Sequence, residues 1–375
     1  MLKIDRRLIE YFDWITFGVI LFISIIGILT IYSATRPPLD EGEHPPFYVK
    51  QLIWLTIATL ALFIFVTFDY KKLKDFWLLF YIFGILLLIL VLFTGKTAMG
   101  AKRWINLGFF SFQPSEIFKI VFIISISSFL EEKSSPLTVK DTLKTLIIFG
   151  AIPFLLIVKQ PDLGTALLII IITFLMLIYK GLPPRLLILF LSILVISTVF
   201  LWEILWEGLK EYQKNRLIAF IDPYIDPKGI GYNLVQSVIS IGSGGLFGKG
   251  FLQGTQGPLK FLPERHTDFI FSIFAEEWGF LGCFILLILY FIVIIRCFQT
   301  STIAKDGFGR LLATGFTLIF ILYFTINIGM SLGIMPVVGI PLPFMSYGGT
   351  TLLANFVGIA MVINVRMRRF ELFYP

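Results

Sequence analysis

Asp268 is the residue around which the polar side chains of this chain can be gathered. It closes the run Pro263, Glu264, Arg265, His266, Thr267, Asp268 and heads an aromatic, apolar stretch that reaches Trp278. A carboxylate beside an arginine and one of only two histidines, at a predicted helix start, stays ionised and can accept a proton. That is what a general base must do. Asp268, Ser272 and Glu276 recur at i, i+4 and i+8, which predicts one polar stripe on the helix. Glu116 and Lys119 stand three apart just inside another apolar run, where ionisable groups usually pair or face a cavity. Arg103, in the surface segment Gly100 to Trp104, carries the planar fork that grips phosphate in bidentate fashion. Asp162 follows Pro161 at a further helix start, and Ser346 stands just before Gly348 and Gly349.

Plainer roles compete with each of these. Carboxylates at helix starts are favoured as caps, which would explain Glu116, Asp162 and Asp268 without chemistry. Glu264, Arg265 and His266 either grip a substrate at the rim or merely shape the turn. A single carboxylate base suits attack by a sugar hydroxyl, with inversion, on a donor whose leaving group needs little protonation. A lipid diphosphate is such a donor. Its charge calls for cations such as Arg103, Lys119 and Arg265, or for a bound divalent metal, magnesium or manganese. Residue types alone therefore define a transferase or a transporter with an essential carboxylate, and the transporter stays open as the alternative.

The elements that must position these residues are membrane helices. Of the 375 residues 57% are hydrophobic and only 15% charged, against roughly 25% charged in soluble domains. Apolar blocks of about 20 residues suffice to cross a hydrocarbon core of about 30 Å. The expected fold is all-α, a polytopic membrane protein with ten spans near 14–34, 47–68, 76–94, 112–130, 143–159, 164–180, 186–206, 269–296, 310–335 and 347–365. Seventeen Lys and Arg fall in the short connections of one side and six on the other. Both termini are thus expected in the cytoplasm, with Asp268 at the outer rim. A single membrane domain over 1–375 is expected, with one long extracytoplasmic loop, about 207–267, between spans seven and eight. Within that loop, Lys210 to Phe220 and Asn233 to Ile241 read as short helices.

Several function classes drop out. The net charge of +7 sits mostly at helix ends and does not indicate nucleic-acid binding. Gly242 to Gly250 fails as a phosphate-binding loop, with one residue too many before Gly248-Lys249 and no Ser or Thr after it. The seven glycines from 242 to 257 fit either close approach to a ligand or tight turning. Cys283 and Cys297, 14 residues apart on one predicted helix, cannot pair, and no zinc-like spacing exists.

The same motifs carry a family resemblance. Gly100 to Gly108, Gln113 to Lys119, Gln160 to Ala166, the glycine loop, the 263–271 segment and Pro341 to Gly349 occur in the order typical of the RodA/FtsW family. These are the shape, elongation, division and sporulation glycosyltransferases of peptidoglycan. The form Pro263-Glu264-Arg265-His266 and the segment Asp226 to Tyr232 resemble the RodA branch. The resemblance implies ten spans in a bacterial cytoplasmic membrane and polymerisation of lipid II into glycan strands on the outer face. It also implies a class B penicillin-binding protein as transpeptidase partner. By the same resemblance Asp268 is catalytic, and Glu116, Lys119 and Asp162 line a polar cavity nearby. The alternative it leaves is a flippase for the same lipid.

Overall fold

Asp13 accepts the amide of Thr16 at 3.1 Å and so caps the first long helix, α1 (Trp14–Thr35). The computed structural model describes residues 10–36, 47–98, 101–106, 111–200, 202–209, 211–224, 229–257 and 261–370. After α1 come α2 (Phe47–Thr67), the short α3 (Lys71–Asp75) and α4 (Trp77–Thr94). A small antiparallel sheet follows, β1 (Lys96–Ala98), β2 (Ala101–Asn106) and β3 (Ser111–Phe112), in the order β1-β2-β3. The sheet departs from the all-helical expectation and is what carries Arg103. Pro114 then opens α5 (Pro114–Glu131), where a missing N–H is harmless.

The fifth expected span is not a plain helix. It runs as α6 (Val139–Thr145), a π-helical turn over Leu146–Ala151, and α7 (Ile152–Lys159). Pro153 has no N–H to offer the Phe149 carbonyl four residues back; Thr173 Oγ1 donates to it instead at 3.3 Å. Next stand α8 (Leu163–Lys180), α9 (Pro184–Phe200) and α10 (Trp202–Gly208). The two helices expected in the long loop are present as α11 (Glu211–Ile221) and α12 (Ile230–Ser243). The chain ends with α13 (Ile270–Ile303), α14 (Gly307–Ser331) and α15 (Gly349–Met367).

Eight helical segments among the described residues are long and apolar enough to cross a membrane. The other two expected spans fall short for visible reasons: α5 contains Glu116, Lys119 and Glu131, and α9 has 17 residues. Burial sorts the helices. The α15 window is 83% buried and the α14 window 72%, whereas α4 is only 22% buried and shows its apolar side chains outward. α2 packs on α15, α14 on α13 and α5 around that centre, and α4 on the outside of α5. At the end remote from Asp268, the Arg296 guanidinium lies 2.6 Å from Asp13 and Arg366 lies 3.4 Å from it, tying α1, α13 and α15 together.

The expected single helix from 269 to 296 is broken. Gly279 has φ 63 and ψ −165, which interrupts α13 after its first nine residues. Asp268 itself sits in the turn before the helix, so Ser272 and Glu276 do not extend a stripe from it. Ser272 shares a 2.6 Å hydrogen bond with Ser237 of α12, and Glu276 turns toward the glycine loop.

Candidate active site

The 263–268 segment is a turn whose hydrogen bonds fix the backbone and set the Asp268 carboxyl against Gly339. Glu264 takes φ 52, and its carbonyl collects the amides of Thr267 at 3.1 Å, Asp268 at 3.1 Å and Phe269 at 3.3 Å. Its side chain folds back to accept Thr267 Oγ1 at 2.9 Å, so Glu264 shapes the turn. Arg265 Nε donates to the Ala34 carbonyl at the end of α1, at 2.7 Å. The His266 ring packs 4.7 Å from Phe47 and 5.6 Å from Tyr347, between α2 and the approach to α15. Burial holds this imidazole below its ordinary pKa, hence neutral near pH 7. Ser346 Oγ accepts the Leu342 amide at 2.8 Å and donates to the Thr267 carbonyl at 2.6 Å. Asn327 Nδ2 of α14 donates to the Asp268 carbonyl at 2.9 Å and to Ile340 at 2.7 Å. Arg265, His266 and Ser346 thus act as braces in this structure.

The carboxyl of Asp268 faces Gly339, whose φ of 75 suits glycine, and a Cβ added there would stand 3.4 Å from Oδ2. Burial is the main force on its titration, and the negative charge of Glu264 adds to it. The guanidinium groups of Arg216 and Arg103 oppose this, and Asp162 pushes the same way as Glu264. The result lies at about 6, above the ordinary 3.8. The residue as a whole nonetheless keeps some exposed surface. A carboxylate that is accessible, mostly ionised at neutral pH and poised near 6 is a proficient proton acceptor.

Two further expected residues, Arg103 and Asp162, are brought close enough to act on the Asp268 carboxyl. Arg103 on β2 lies 3.8 Å from Asp162 and donates a second N–H to the Pro161 carbonyl. Asp162 is also the N-cap of α8, accepting Thr165 N at 3.2 Å and Oγ1 at 3.0 Å. The cap expected of Asp162 is present, and the structure adds the ion pair with Arg103. Arg216, on α11, was not among the candidates. Its alternating basic and apolar neighbourhood predicts a helix but not which cation turns inward, because more than fifty residues separate it from Asp268 in sequence. Glu116 and Lys119 form the expected pair at 2.8 Å, both buried. Lys119 also donates to Tyr323 Oη of α14 and stands 4.4 Å over that ring. This pair lines a small pocket with Phe316, Phe320 and Asn355, and Lys119 is engaged by its own neighbours.

No three His, Cys, Asp or Glu side chains among the described residues are grouped to hold a metal. The donor set among the described residues does not fit a protein-held divalent ion.

The fold and site define a polytopic membrane protein with a single carboxylate poised at one end of its helical bundle. Residues 13–371 match the family FTSW_RODA_SPOVE, described as cell cycle protein, and the chain belongs to that family. It is 43% identical over 290 residues to the peptidoglycan glycosyltransferase MrdB of Escherichia coli, covering 77% of each chain. It is 32% identical to the peptidoglycan glycosyltransferase RodA of Treponema pallidum, over 96% of this chain and 99% of that one. Among solved structures, one described as a peptidoglycan synthase complex coordinating polymerization and crosslinking aligns with TM-score 0.82 at 29% identity, covering 96% and 99% of the two chains. The rod shape determining protein RodA of Thermus thermophilus aligns with TM-score 0.70 at 28% identity, over 96% and 98%.

Proposed function

We infer that this chain is a peptidoglycan glycosyltransferase that polymerises lipid II on the outer face of a bacterial cytoplasmic membrane during cell elongation. The observation that carries the reading is the Asp268 carboxyl, poised near 6 under the opposed fields of Glu264 and two arginines. It occurs in a family whose relatives bear that activity in their names. Asp268 takes the proton from the 4-hydroxyl of the acceptor N-acetylglucosamine. The hydroxyl oxygen then bonds to the anomeric carbon of the donor N-acetylmuramic acid from the opposite face. The bond to the diphosphate oxygen breaks, and undecaprenyl diphosphate leaves with its electron pair. Arg103 and Arg216 supply the positive charge nearest this event, and Asp162 orients Arg103.

The topology follows the asymmetry of basic residues: both termini in the cytoplasm and the 207–267 connection outside, in one membrane domain of ten spans. Cross-linking falls to a class B penicillin-binding protein as partner. The synthase-complex neighbour supports that pairing. The test is polymer formation from purified lipid-linked disaccharide-pentapeptide. The wild-type chain with its partner makes glycan polymer and Asp268→Ala makes none. Full polymer from that variant removes Asp268 from the chemistry. Lipid translocation in vesicles without polymer would establish the transporter in its place.

A further inference from the structure

Gly279 breaks α13, and the broken bonds can be followed one by one. A continuous helix would join the Glu276 carbonyl to the Phe280 amide and the Glu277 carbonyl to the Leu281 amide. None of these four groups is left unmade, because the glycine loop takes them all. Lys249 N donates to Glu276 O at 3.0 Å and Gly250 N to Glu277 O at 3.0 Å. Phe280 N donates to Gly245 O at 2.8 Å and Leu281 N to Leu246 O at 3.1 Å. The loop is inserted into the helix ladder. Such contact requires backbone against backbone: a Cβ on Gly244 would overlap Ala275, one on Gly248 would overlap Glu277, and one on Gly279 would overlap Gly248.

The side chain of Glu276 fastens the rest of the loop. It is fully buried and accepts Lys249 Nζ at 2.6 Å, Thr255 N at 2.8 Å, Thr255 Oγ1 at 2.8 Å and Gln256 N at 3.2 Å. The neighbouring carboxylate points elsewhere: Glu277 accepts Ser33 Oγ of α1, and Arg36 donates to Leu252 O at 2.5 Å. The loop ends at Gly257, which rests on Ala34, and the Ala34 carbonyl is the group that holds Arg265 in the Asp268 turn. Above the break, Ser240 Oγ donates to the Ser272 carbonyl at 3.0 Å, linking the same short helix to α12.

We propose that Glu276 is a positioning residue for glycosyl transfer: by clamping the 249–256 loop into the break of α13, it sets the pose of the short helical segment that Asp268 heads. The segment from Asp268 to Trp278 is severed from the long part of its own helix, so its tilt and depth depend on the loop. Displacing a reacting group by about 1 Å can cost on the order of 100-fold in rate. The proposal rests on the glycosyltransferase reading of Asp268 for its kinetic arm alone.

The experiment uses the full-length protein with its partner, comparing wild type, Glu276→Gln, Glu276→Asp and Lys249→Met. Polymerisation of lipid-linked disaccharide-pentapeptide gives kcat and KM, and amide hydrogen exchange is followed without substrate over 249–256 and 264–278. Glu276→Gln is expected to speed exchange in both segments. It should lower kcat about tenfold or more while KM stays within about twofold. Glu276→Asp restores most of the rate, and Lys249→Met, added to Glu276→Gln, lowers it no further. If exchange rises only over 249–256 with kcat unchanged, the clamp is local and the proposal fails. Should Glu276→Gln not fold, Lys249→Met and Thr255→Val each remove one donor and must speed exchange over 264–278; no change there also overturns it. If wild type makes no polymer, the glycosyltransferase reading falls, and exchange alone decides the coupling.

Discussion

The poise of Asp268 makes the pH dependence of polymerisation the most discriminating measurement on this protein. A base works only in its ionised fraction. With the group at about 6, that fraction is about 0.9 at pH 7, about one half at pH 6 and about 0.1 at pH 5. The rate should thus fall about ninefold between pH 7 and pH 5. A carboxylate at the ordinary value near 3.9 would still be more than about 0.9 ionised at pH 5, and the rate would hardly change. The assay is initial-rate polymerisation of lipid-linked substrate at saturating concentration across pH 4.5 to 8. Two variants test the cause of the shift. Glu264→Gln removes a neighbouring negative charge, so the acid limb should move to lower pH. Arg216→Ala removes a positive charge, so it should move to higher pH. A rate that is flat between pH 5 and 7, or limbs that move in the opposite directions, would refute the assignment of Asp268 as the titrating base.

The same shift has a cost for stability. The folded value is raised, so the penalty is absent below about 3.8, where the carboxyl is neutral in both states, and complete above about 6. Two units correspond to about 3 kcal/mol as an upper limit, so Asp268→Asn should raise Tm at pH 7.5 and lose that advantage near pH 4. Removing one member of the buried Glu116–Lys119 pair, as in Lys119→Met, leaves an unpaired buried charge. It should destabilise by about 3–5 kcal/mol, with Glu116→Gln/Lys119→Met recovering much of it in detergent unfolding. Gly248→Ala has no room on the Glu277 backbone and a φ of 78, so it should abolish the folded loop, read as protease cleavage between α12 and α13.

Much of this protein was legible from residue order alone. Hydropathy settles membrane helices because an apolar run of about 20 residues can cross lipid with its backbone bonded within the segment, and eight segments among the described residues meet that demand. The loop helices α11 and α12 were legible from local periodicity, and the Glu116–Lys119 pair from spacing of three on a helix. Asp162 as a helix cap followed from residue type, whereas its ion pair with Arg103 did not. Other features depend on groups far apart in the chain. The break at Gly279 is invisible to periodicity, because an apolar helix pattern continues through it and the compensating bonds come from residues thirty positions earlier. For the same reason the glycines of 244–250 looked equally suited to a ligand; tertiary structure assigns their close approach to α13. Arg216 and Tyr323 reach the site regions from distant elements, and neither carries a local signal. The sequence by itself determined which carboxylate heads an apolar helix at the polar rim. Only the fold decided that Asp268 stands in a turn, crowded by Glu264 and faced by two arginines, since burial and Coulomb interaction depend on distance in space rather than along the chain.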